Sequence, residues 1–409
     1  MQDVSNTKFR SPRLKDRPTV LASRRNAKMA RSAHAYVRGN TVKFYEWLQT
    51  SAGKVPEGPP VWICGDCHVG NLGPVANLQG RVDIQIRDLD QTVVGNPAHD
   101  LILLALSLAT AVRGSDLPGI TTARMMEQMV EGYCLQLEDE ALRRKRPKPD
   151  SKPVQRVLQM ALRRRWKNLA RERIEDVKPS IPRSDKFWDL GRKERIELAH
   201  LIETPDVRHL VTSFHARDED ARAELLDAAY WVKGCSSLGR LRYAVLIGVR
   251  GENGRKDIAF VDIKEAVTAA APRAGDGKMP RDNAERVVEG ARHLSPYLGQ
   301  RMLAGRLGDR SVVIRELMPQ DLKLEIDQLT REEAIRAARY LASVVGRAHV
   351  RQMEDVTRRG WLKALTANHR KTLAAPSWLW TSVVDLVASH EAAYLDHCRV
   401  HAAEAAAAA

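Results

Sequence analysis

The order of helix-forming and strand-forming segments along the chain most strongly limits the possible folds. Strand-forming residues with glycines at turns are concentrated in "YWVKGCSSLGRLRYAVLIGVRG", "DIAFVDIKEA" and "SVVIREL", all between positions 230 and 317. Helical periodicity dominates before this region and returns from Arg331 to the end of the chain. One helix, at 281–294, interrupts the strands, with Asp282 or Asn283 placed to cap it. This order predicts an α+β protein.

The first half of the chain is predicted to be mostly helical. Residues 1–30 are polar and basic, which is typical of an arm, and "VWIC" and "RVDIQIRDLD" are the two predicted strands. The predicted helices cover 27–49, 98–113, 121–146 and 154–228, the last of these broken by "KPSIPRSD" at 178–185.

Composition argues against a membrane-spanning protein. The longest strongly apolar run, "LILLALSLATAV" at 101–112, is too short to cross a bilayer and predicts a buried helix. The N-terminus has no apolar stretch of the secretory type, so the expected location is the cytoplasm. There, the five cysteines are expected to be free thiols.

The stretch "CGDCHVGN" at 64–71 allows three interpretations. It contains the C-x-x-C-H pattern of haem attachment, the C-x-x-C pattern of a dithiol, and an Asp and an Asn spaced as in a kinase catalytic loop. Covalent haem attachment requires export, and a redox dithiol should open a helix in a small βαβ domain. Since neither context is present, we favour a phosphotransferase.

Phosphoryl transfer explains why these residue types occur together. It needs a carboxylate that accepts the hydroxyl proton and oxygen ligands that hold Mg²⁺ on the nucleotide phosphates. Asp66 is the candidate base, and Asn71 is a candidate metal ligand. Asp88 ends a predicted strand, where it can be a second ligand if two strands form a hairpin.

The block "GDCHVGN…VDIQIRDLDQTVVGNPAHDLILLA" resembles the active-site block of aminoglycoside-phosphotransferase-like kinases. Their pattern is an H-G-D-x-H-x-x-N loop, then a hydrophobic-Asp-x-[Glu/Asp] element, then G-D-P-x-x-D-L-A. Cys64 replaces the histidine that usually begins the loop. The resemblance implies a catalytic base at Asp66, Mg²⁺ ligands at Asn71 and Asp88, a second metal contact at Asp90, and a buried carboxylate that braces the loop at Asp100.

The nucleotide-binding elements of kinases usually precede the catalytic loop, but the matching segments follow it here. Lys264, near the end of "AFVDIKEA", resembles the phosphate-binding lysine of V-A-I-K. Glu285 and Glu289 lie one turn apart on the next helix, and either can pair with Lys264. We favour Glu289. Glycine-rich-loop contacts to phosphate are predicted at Gly234, Ser236, Ser237 and Gly239.

The remaining segments complete a kinase-like order. "VVIRELMP" is predicted to lead into the hinge, where Glu316 to Met318 line an adenine pocket through backbone groups. "YLASVVGRAHVRQ" resembles the helix before a kinase catalytic loop, and His349 is interpreted as a core histidine. The resulting prediction is a circularly permuted protein-kinase-like two-lobe fold, in which Lys264 faces the carboxylates across one nucleotide-sized cleft.

An N-terminal element resembles a second family. "KMARSAHAYVRG" matches the M-x-x-S-x-x-x-[FY]-x-R-G element of the bacterial family called domain of unknown function 2252. The matching positions are Met29, Ser32, Tyr36, Arg38 and Gly39. The resemblance covers about residues 20 to 400 and implies a fold more than a substrate. Arg38 is interpreted as reaching toward phosphate or substrate, or as packing or forming a salt bridge.

The predicted organisation has four parts. They are an N-terminal arm and helix at 1–60, a helical catalytic lobe at 61–228, a β-rich nucleotide-binding lobe at 229–328, and C-terminal helices at 329–409 that complete the catalytic lobe.

The expected function is transfer of a phosphoryl group from Mg·ATP to a hydroxyl of a small molecule. Three alternatives remain: transfer of AMP, a non-catalytic ATP-binding switch, and nucleic-acid binding through the net charge of +15. The basic segment 143–183 is either an ordinary solvated surface or a site that recruits an anionic acceptor.

Overall fold

The structure is a computed structural model, and it describes the chain in ten stretches. These are residues 9–113, 119–138, 152–163, 179–213, 217, 221–251, 256–275, 277–318, 330–367 and 376–407. The described helices longer than one turn are α1 (Arg17–Met29), α2 (Ala33–Gly39), α3 (Thr41–Ser51), α4 (Pro97–Arg113), α5 (Gly119–Glu138), α6 (Lys152–Arg163), α7 (Arg192–Ile202), α8 (Pro205–Thr212), α9 (Asn283–Leu294), α10 (Arg331–Val350), α11 (Asp355–Thr366) and α12 (Ser377–Ala407).

The strands form one large sheet and two hairpin-like pairs. The described strands are β1 (Val61–Ile63), β2 (Leu72–Ala76), β3 (Val82–Ile86), β4 (Val93–Gly95), β5 (Phe187–Trp188), β6 (Arg222–Trp231), β7 (Arg242–Arg250), β8 (Lys256–Glu265), β9 (Met302–Leu307) and β10 (Arg310–Glu316). The six-stranded sheet is antiparallel in the order β5-β6-β7-β8-β10-β9. Strand β1 pairs with β4, and β2 pairs with β3. The chain is therefore an α+β protein, as predicted.

The two faces of the large sheet differ in chemistry. One face is apolar and packs under α1, α7 and α8 through side chains such as Tyr243, Val245 and Val261. The other face carries Arg242 and Lys264, which are directly opposite each other on β7 and β8. Because side chains alternate along a strand, these charged groups lie on the face opposite the apolar layer, and they share it with a smaller apolar cluster that includes Ala244, Leu246 and Phe260.

Helices α4, α5 and α10 form the main core together with the two strand pairs. Residues 101–109 of α4 are buried, which confirms the expected buried helix. None of the described helices has both the length and the apolar character needed to cross a membrane.

The N-terminal region differs from the single helix predicted at 27–49. Helix α1 already begins at Arg17, with Pro18 in its first turn, and ends at Met29. The Ser32 hydroxyl then accepts a hydrogen bond from the Ala35 amide and starts α2. The boundary signals were present in the sequence, but hydrophobic periodicity alone does not reveal a break between consecutive helices.

Several strands were also missed. The helical interpretation of 154–228 is wrong for β5 and for the start of β6, because β6 begins at Arg222. Strands β2, β4 and β9 had no strong alternating pattern, and they are stabilised by their partners in the sheet. The part of the predicted helix 121–146 after residue 138 lies outside the described residues.

Gly132 generates a prediction about the contact between α5 and α10. A Cβ built at Gly132 would collide with the backbone carbonyl oxygen of Arg339, which cannot move away independently. We expect Gly132→Ala to lower the free energy of unfolding by about 2 kcal/mol through overpacking. Gly360→Ala is the control, since a Cβ there meets open space and should stabilise the exposed helix by up to about 1 kcal/mol. Urea denaturation measures both, and equal effects would contradict the proposed close approach.

Candidate active site

The loop that follows β1 is held by a buried carboxylate. The amide of Cys64 donates to Asp100 Oδ2 at 2.7 Å, and the amide of Gly65 donates to Asp100 Oδ1 at 2.9 Å. Gly65 has a φ of +72°, and a side chain there would collide with the Gln91 carbonyl oxygen. The contact expected of Asp100 is therefore present, and it fixes the backbone immediately before Asp66.

A chain of hydrogen bonds stands behind Asp100. The Trp361 indole N–H donates to the Tyr133 hydroxyl oxygen at 3.2 Å, and that hydroxyl lies 2.9 Å from His349 Nδ1. His349 Nε2 lies 3.1 Å from Asp100 Oδ2. Because an indole can only donate, the Tyr133 proton is free to go to Nδ1, and His349 donates from Nε2 to Asp100. His349 is thus a core histidine that orients the loop's carboxylate.

Asp66 combines burial with a position beside other acids. Its side chain is 15% exposed. Burial raises the pKa of Asp66 to about 7, and the charges of Asp88 and Asp90 act in the same direction. A carboxyl group with such a pKa is poised for proton transfer at neutral pH.

Asn71 and Asp88 are brought together by the β2–β3 hairpin. Leu72 is paired with Ile86, and the Arg87 amide donates to the Asn71 carbonyl oxygen at 2.7 Å, so the pairing continues to the residue before Asp88. The Asn71 side-chain amide donates to the Asp66 carbonyl oxygen at 2.9 Å. Within the described residues no donor reaches Asn71 Oδ1, so this oxygen is suited to a hard metal ion.

Lys264 meets the two acidic residues from the opposite side. Its ammonium lies 3.4 Å from Asp88 Oδ2 and contacts Asp90 Oδ2. Burial disfavours the charged form of Asp88, but the positive charges of Lys264 and Arg242 hold its pKa well below the usual range. The sequence expectation that Lys264 faces these carboxylates is what the structure shows.

Sequence reasoning missed a layer of buried charges beside Lys264. Arg242 Nε donates to Asp262 Oδ1 at 2.9 Å, and Arg315 Nη2 donates to Asp262 Oδ2 at 3.1 Å. Arg315 also donates to the Arg87 carbonyl oxygen at 3.1 Å, which ties β10 to the loop that carries Asp88. The alternation in "RLRYAV" and "VDIKEA" was the available signal, because it puts Arg242 and Asp262 on the same face as Lys264.

The predicted pairing of Glu289 with Lys264 is wrong. Glu289 instead contacts Arg292 at 3.1 Å and His293 at 3.2 Å on the outer side of α9, and Glu285 is exposed. Helix α9 turns Arg286 toward the site, where its guanidinium donates to the carbonyl oxygens of Asp90, Thr92 and Val267. The apolar face of α9 determines this rotation, since Val287 and Ala291 are buried.

The predicted glycine-rich segment forms a turn between β6 and β7. Gly234 has a φ of +92° and Gly239 a φ of +100°, values that favour glycine. Ser237 is buried and its hydroxyl donates to the Lys233 carbonyl oxygen at 3.2 Å, whereas Ser236 is exposed. The segment thus has the geometry of a tight exposed turn, and its role toward phosphate remains a prediction.

The predicted hinge is only partly available for a ligand. The Glu316 side chain is fully buried and pairs with Arg217 at 2.9 Å, while its carbonyl oxygen accepts a hydrogen bond from Arg301 at 2.8 Å. The backbone acceptor of Glu316 is therefore engaged, which argues against the predicted contact with adenine. Met318 is half-buried, and the chain from 319 to 329 lies outside the described residues.

Two cavities border these residues. One, of about 40 Å³, lies between Asp88, Asp90, Lys264 and the buried charge layer. It has room for about one water molecule, so the cleft is smaller than the predicted nucleotide-sized one. The other, of about 400 Å³, has the volume of a small-molecule site. Its lining residues are Val42, Tyr45, Glu46, Gln49, Gln91, Arg240, Thr268, Ala269 and Ala270.

The two cysteines of the loop lie close to each other and to Asp100. Cys64 and Cys67 are buried free thiols, and a hydrogen bond between them together with burial raises the pKa of Cys64 well above its usual value. Their sulfur atoms and an Asp100 oxygen lie within 4.8 Å of one another. Both Asp100 oxygens already accept backbone hydrogen bonds, so Asp100 serves the loop instead of a metal.

Most of the basic segment 143–183 lies outside the described residues. At its described end, Arg183 pairs with Asp189 and Asp227, each at 3.0 Å. This arginine is therefore engaged in the fold of the protein itself.

The chain belongs to the family described as "Uncharacterized protein conserved in bacteria (DUF2252)", whose sequence model matches residues 17–400. No curated protein matches the chain, and no solved structure matches it. The match confirms the family indicated by the N-terminal element.

The pKa of Asp66 leads to a prediction about stability. A carboxyl group whose pKa is raised to about 7 in the folded protein, against about 3.9 when unfolded, makes stability fall as pH rises between those values. We expect Asp66→Asn to remove this cost and to be more stable than wild type at pH 8, by at most about 4 kcal/mol. The difference should shrink toward pH 4.

Urea denaturation across this pH range measures the effect, and Asp206→Asn, at an exposed position in α8, is the control. A variant that is no more stable than wild type at pH 8 would show that the Asp66 carboxylate is not destabilised by burial.

Proposed function

We propose that this protein is a Mg·ATP-dependent phosphotransferase that acts on a hydroxyl group of a small molecule, built on a circularly permuted kinase-like arrangement. The observation that carries the proposal is the contact of Lys264 with Asp88 and Asp90. A phosphate-binding lysine opposite metal-binding carboxylates is the charge arrangement that phosphoryl transfer requires.

The order of elements supports the permuted arrangement. Lys264 lies on β8, the third strand counted from β6, and α9 follows, which is the order of lysine strand and helix in kinases. The block with Asp66 and Asp88 comes earlier in the chain. Helices α1 and α12 touch, since Tyr394 and His397 both donate hydrogen bonds to backbone carbonyls at the end of α1. Rearranged connections are tolerated where chain ends lie close together.

The acidic residues fit a hard divalent cation. Asn71 Oδ1 and the Asp88 carboxylate would hold Mg²⁺, with Asp90 as a further oxygen donor. When bound, Mg²⁺ would neutralise charge on the nucleotide phosphates. The Asn71 amide, anchored on the Asp66 backbone, links the metal-binding side of the site to the proposed base.

Nucleotide binding at this site would replace the contact between Lys264 and the two carboxylates. In the structure, Lys264 and the two carboxylates neutralise one another. Phosphate groups would replace the carboxylates at Lys264, and the metal ion would replace the lysine at the carboxylates. If phosphate alone bound to Lys264, the carboxylates would lose their positive partner, and if the metal ion alone bound to the carboxylates, Lys264 would lose its negative partners. Metal and nucleotide should therefore bind cooperatively.

Asp66 is the proposed base that accepts the proton of the attacking hydroxyl. The 400 Å³ cavity is the proposed acceptor site, since Tyr45 in its wall donates to the Gly65 carbonyl oxygen at 2.7 Å, one residue before Asp66. Arg240 and Glu46 give this cavity both signs of charge, so a polar acceptor fits better than an apolar one.

Cooperative binding gives the first test. We expect ATP with Mg²⁺ to raise the melting temperature by more than the sum of the shifts from either alone. Ligand at about a hundred times its Kd should add about 2.7 kcal/mol of stability. Asp88→Ala should abolish the synergy because it removes a metal ligand, and Asp206→Ala should keep it. If Asp88→Ala binds Mg·ATP as wild type does, the assignment of the metal site is wrong.

The reaction itself gives the second test. Incubation with ATP and a mixture of hydroxyl-bearing metabolites should yield a phosphate adduct by mass spectrometry, whereas an AMP adduct would indicate nucleotidyl transfer. The rate should rise with pH through about 7, because the Asp66 carboxyl must lose its proton to act as base. Asp66→Asn should abolish turnover while keeping the thermal shift. Binding without turnover in wild type would instead indicate a switch.

A further inference from the structure

Arg38 lies directly on the catalytic loop. It stands in the last turn of α2. A Cβ built at Gly70 would lie 2.6 Å from Arg38 Nη2 and 2.9 Å from Arg38 Cζ. The guanidinium therefore rests on the backbone of Gly70, one residue before Asn71, and any larger residue at Gly70 would displace it.

The same segment also reaches the glycine-rich turn. A Cβ built at Gly39 would lie 2.9 Å from the Cys235 sulfur, so the end of α2 packs against the turn between β6 and β7. Lys28, at the end of α1, donates to the Gly234 carbonyl oxygen at 2.9 Å. Arg38 thus stands where the catalytic loop and the glycine-rich turn approach each other.

The half-buried side chain of Arg38 lies close to an acidic residue, Asp66. Its Nε is buried without a hydrogen-bond partner, and across the described residues Arg38 forms no hydrogen bond or ion pair. Its positive charge nevertheless acts on Asp66, favouring the ionised form of that carboxyl group. Arg242 and Arg315, which also lie beside the site, differ because both are paired with Asp262.

An arginine held close to carboxylates but bonded to none of them is suited to an incoming anion. The planar guanidinium presents a fork of donors that matches the oxygens of a phosphate group. In phosphoryl transfer, negative charge is spread over the three equatorial oxygens of the transferred group, which lies between the base and the metal ligands. Gly70 lies one residue before Asn71 and four residues after Asp66 in the same loop, so Arg38 stands beside this position.

We propose that Arg38 binds the γ-phosphoryl group of ATP and stabilises it during transfer, as an arginine supplied in cis by the N-terminal helices. In this step, the acceptor oxygen forms a bond to the γ-phosphorus, and the bond from that phosphorus to the β–γ bridging oxygen breaks. ADP leaves with the electron pair, and the hydroxyl proton goes to Asp66. This inference rests on the proposed function.

A comparison of ATP with ADP tests this role, because only ATP carries the group that Arg38 would bind. Affinities for both nucleotides with Mg²⁺ are measured by calorimetry for wild type, Arg38→Met, Arg38→Lys and Arg31→Met. Arg31 is an exposed arginine near the same turn, so its variant removes an equal charge without touching the catalytic loop.

We expect Arg38→Met to weaken ATP binding about tenfold or more and to leave ADP binding within about twofold, as one lost charged hydrogen bond predicts. Phosphoryl transfer should fall at least about a thousandfold. Arg38→Lys should recover part of the ATP affinity, and Arg31→Met should behave as wild type. Retained ADP binding shows that each variant is folded.

Equal losses for ATP and ADP would overturn the proposal, because Arg38 would then act by holding the fold. Unchanged ATP affinity and turnover in Arg38→Met, with wild type active, would overturn the role of Arg38 alone. A wild type that binds neither nucleotide would overturn the proposed function and this inference with it.

Discussion

The contact of Lys264 with Asp88 and Asp90 is the interaction on which the arrangement of the site depends. Lys264 lies at the end of a strand of the large sheet, and the carboxylates follow a hairpin 176 positions earlier in the chain. Bringing them together requires the sheet and the helical core to close on one another. The ion pair therefore joins the sheet to the helical core and also brings the charged groups of the site together. Without it, Lys264 and the two carboxylates would each lack a partner of opposite charge.

The charged groups around this contact have partners within the protein. Arg242 and Arg315 both pair with Asp262, and Arg286 donates hydrogen bonds to backbone carbonyl oxygens. Buried charges are tolerated only when they are paired or hydrogen-bonded in this way. Arg38 differs, because its half-buried guanidinium has no hydrogen bond or ion pair within the described residues, as expected of a group whose partner is a ligand.

The loop beside this charge cluster is held by a network of buried hydrogen bonds. Asp100 holds two consecutive backbone amides, and His349, Tyr133 and Trp361 hold Asp100 from behind. This network joins α4, α5, α10 and α11, so the position of Asp66 is set by the whole helical core. A catalytic base must be positioned accurately relative to its substrate, and these hydrogen bonds fix the backbone that carries Asp66.

Much of the candidate site could be predicted from local sequence patterns. The spacing of Asp66, Asn71 and Asp88, the buried run of α4 and the capped helix α9 could be predicted, because each depends on neighbours within a few residues. The strands β2, β4 and β9 could not, since their stability comes from partners elsewhere in the sheet. Glu289 was misassigned for a related reason: one turn of helix contains several polar residues, and only packing decides which of them faces inward.

By itself, the sequence determined the family, the α+β class and the set of chemically capable residues, because those depend on residue type and short-range spacing. Tertiary structure alone decided that Lys264 pairs directly with Asp88 and Asp90 instead of with Glu289, that Arg286 lies beside the site, and that Arg38 lies on Gly70. The reason is that these contacts join segments far apart in the chain, and their geometry follows from how the sheet and helices pack.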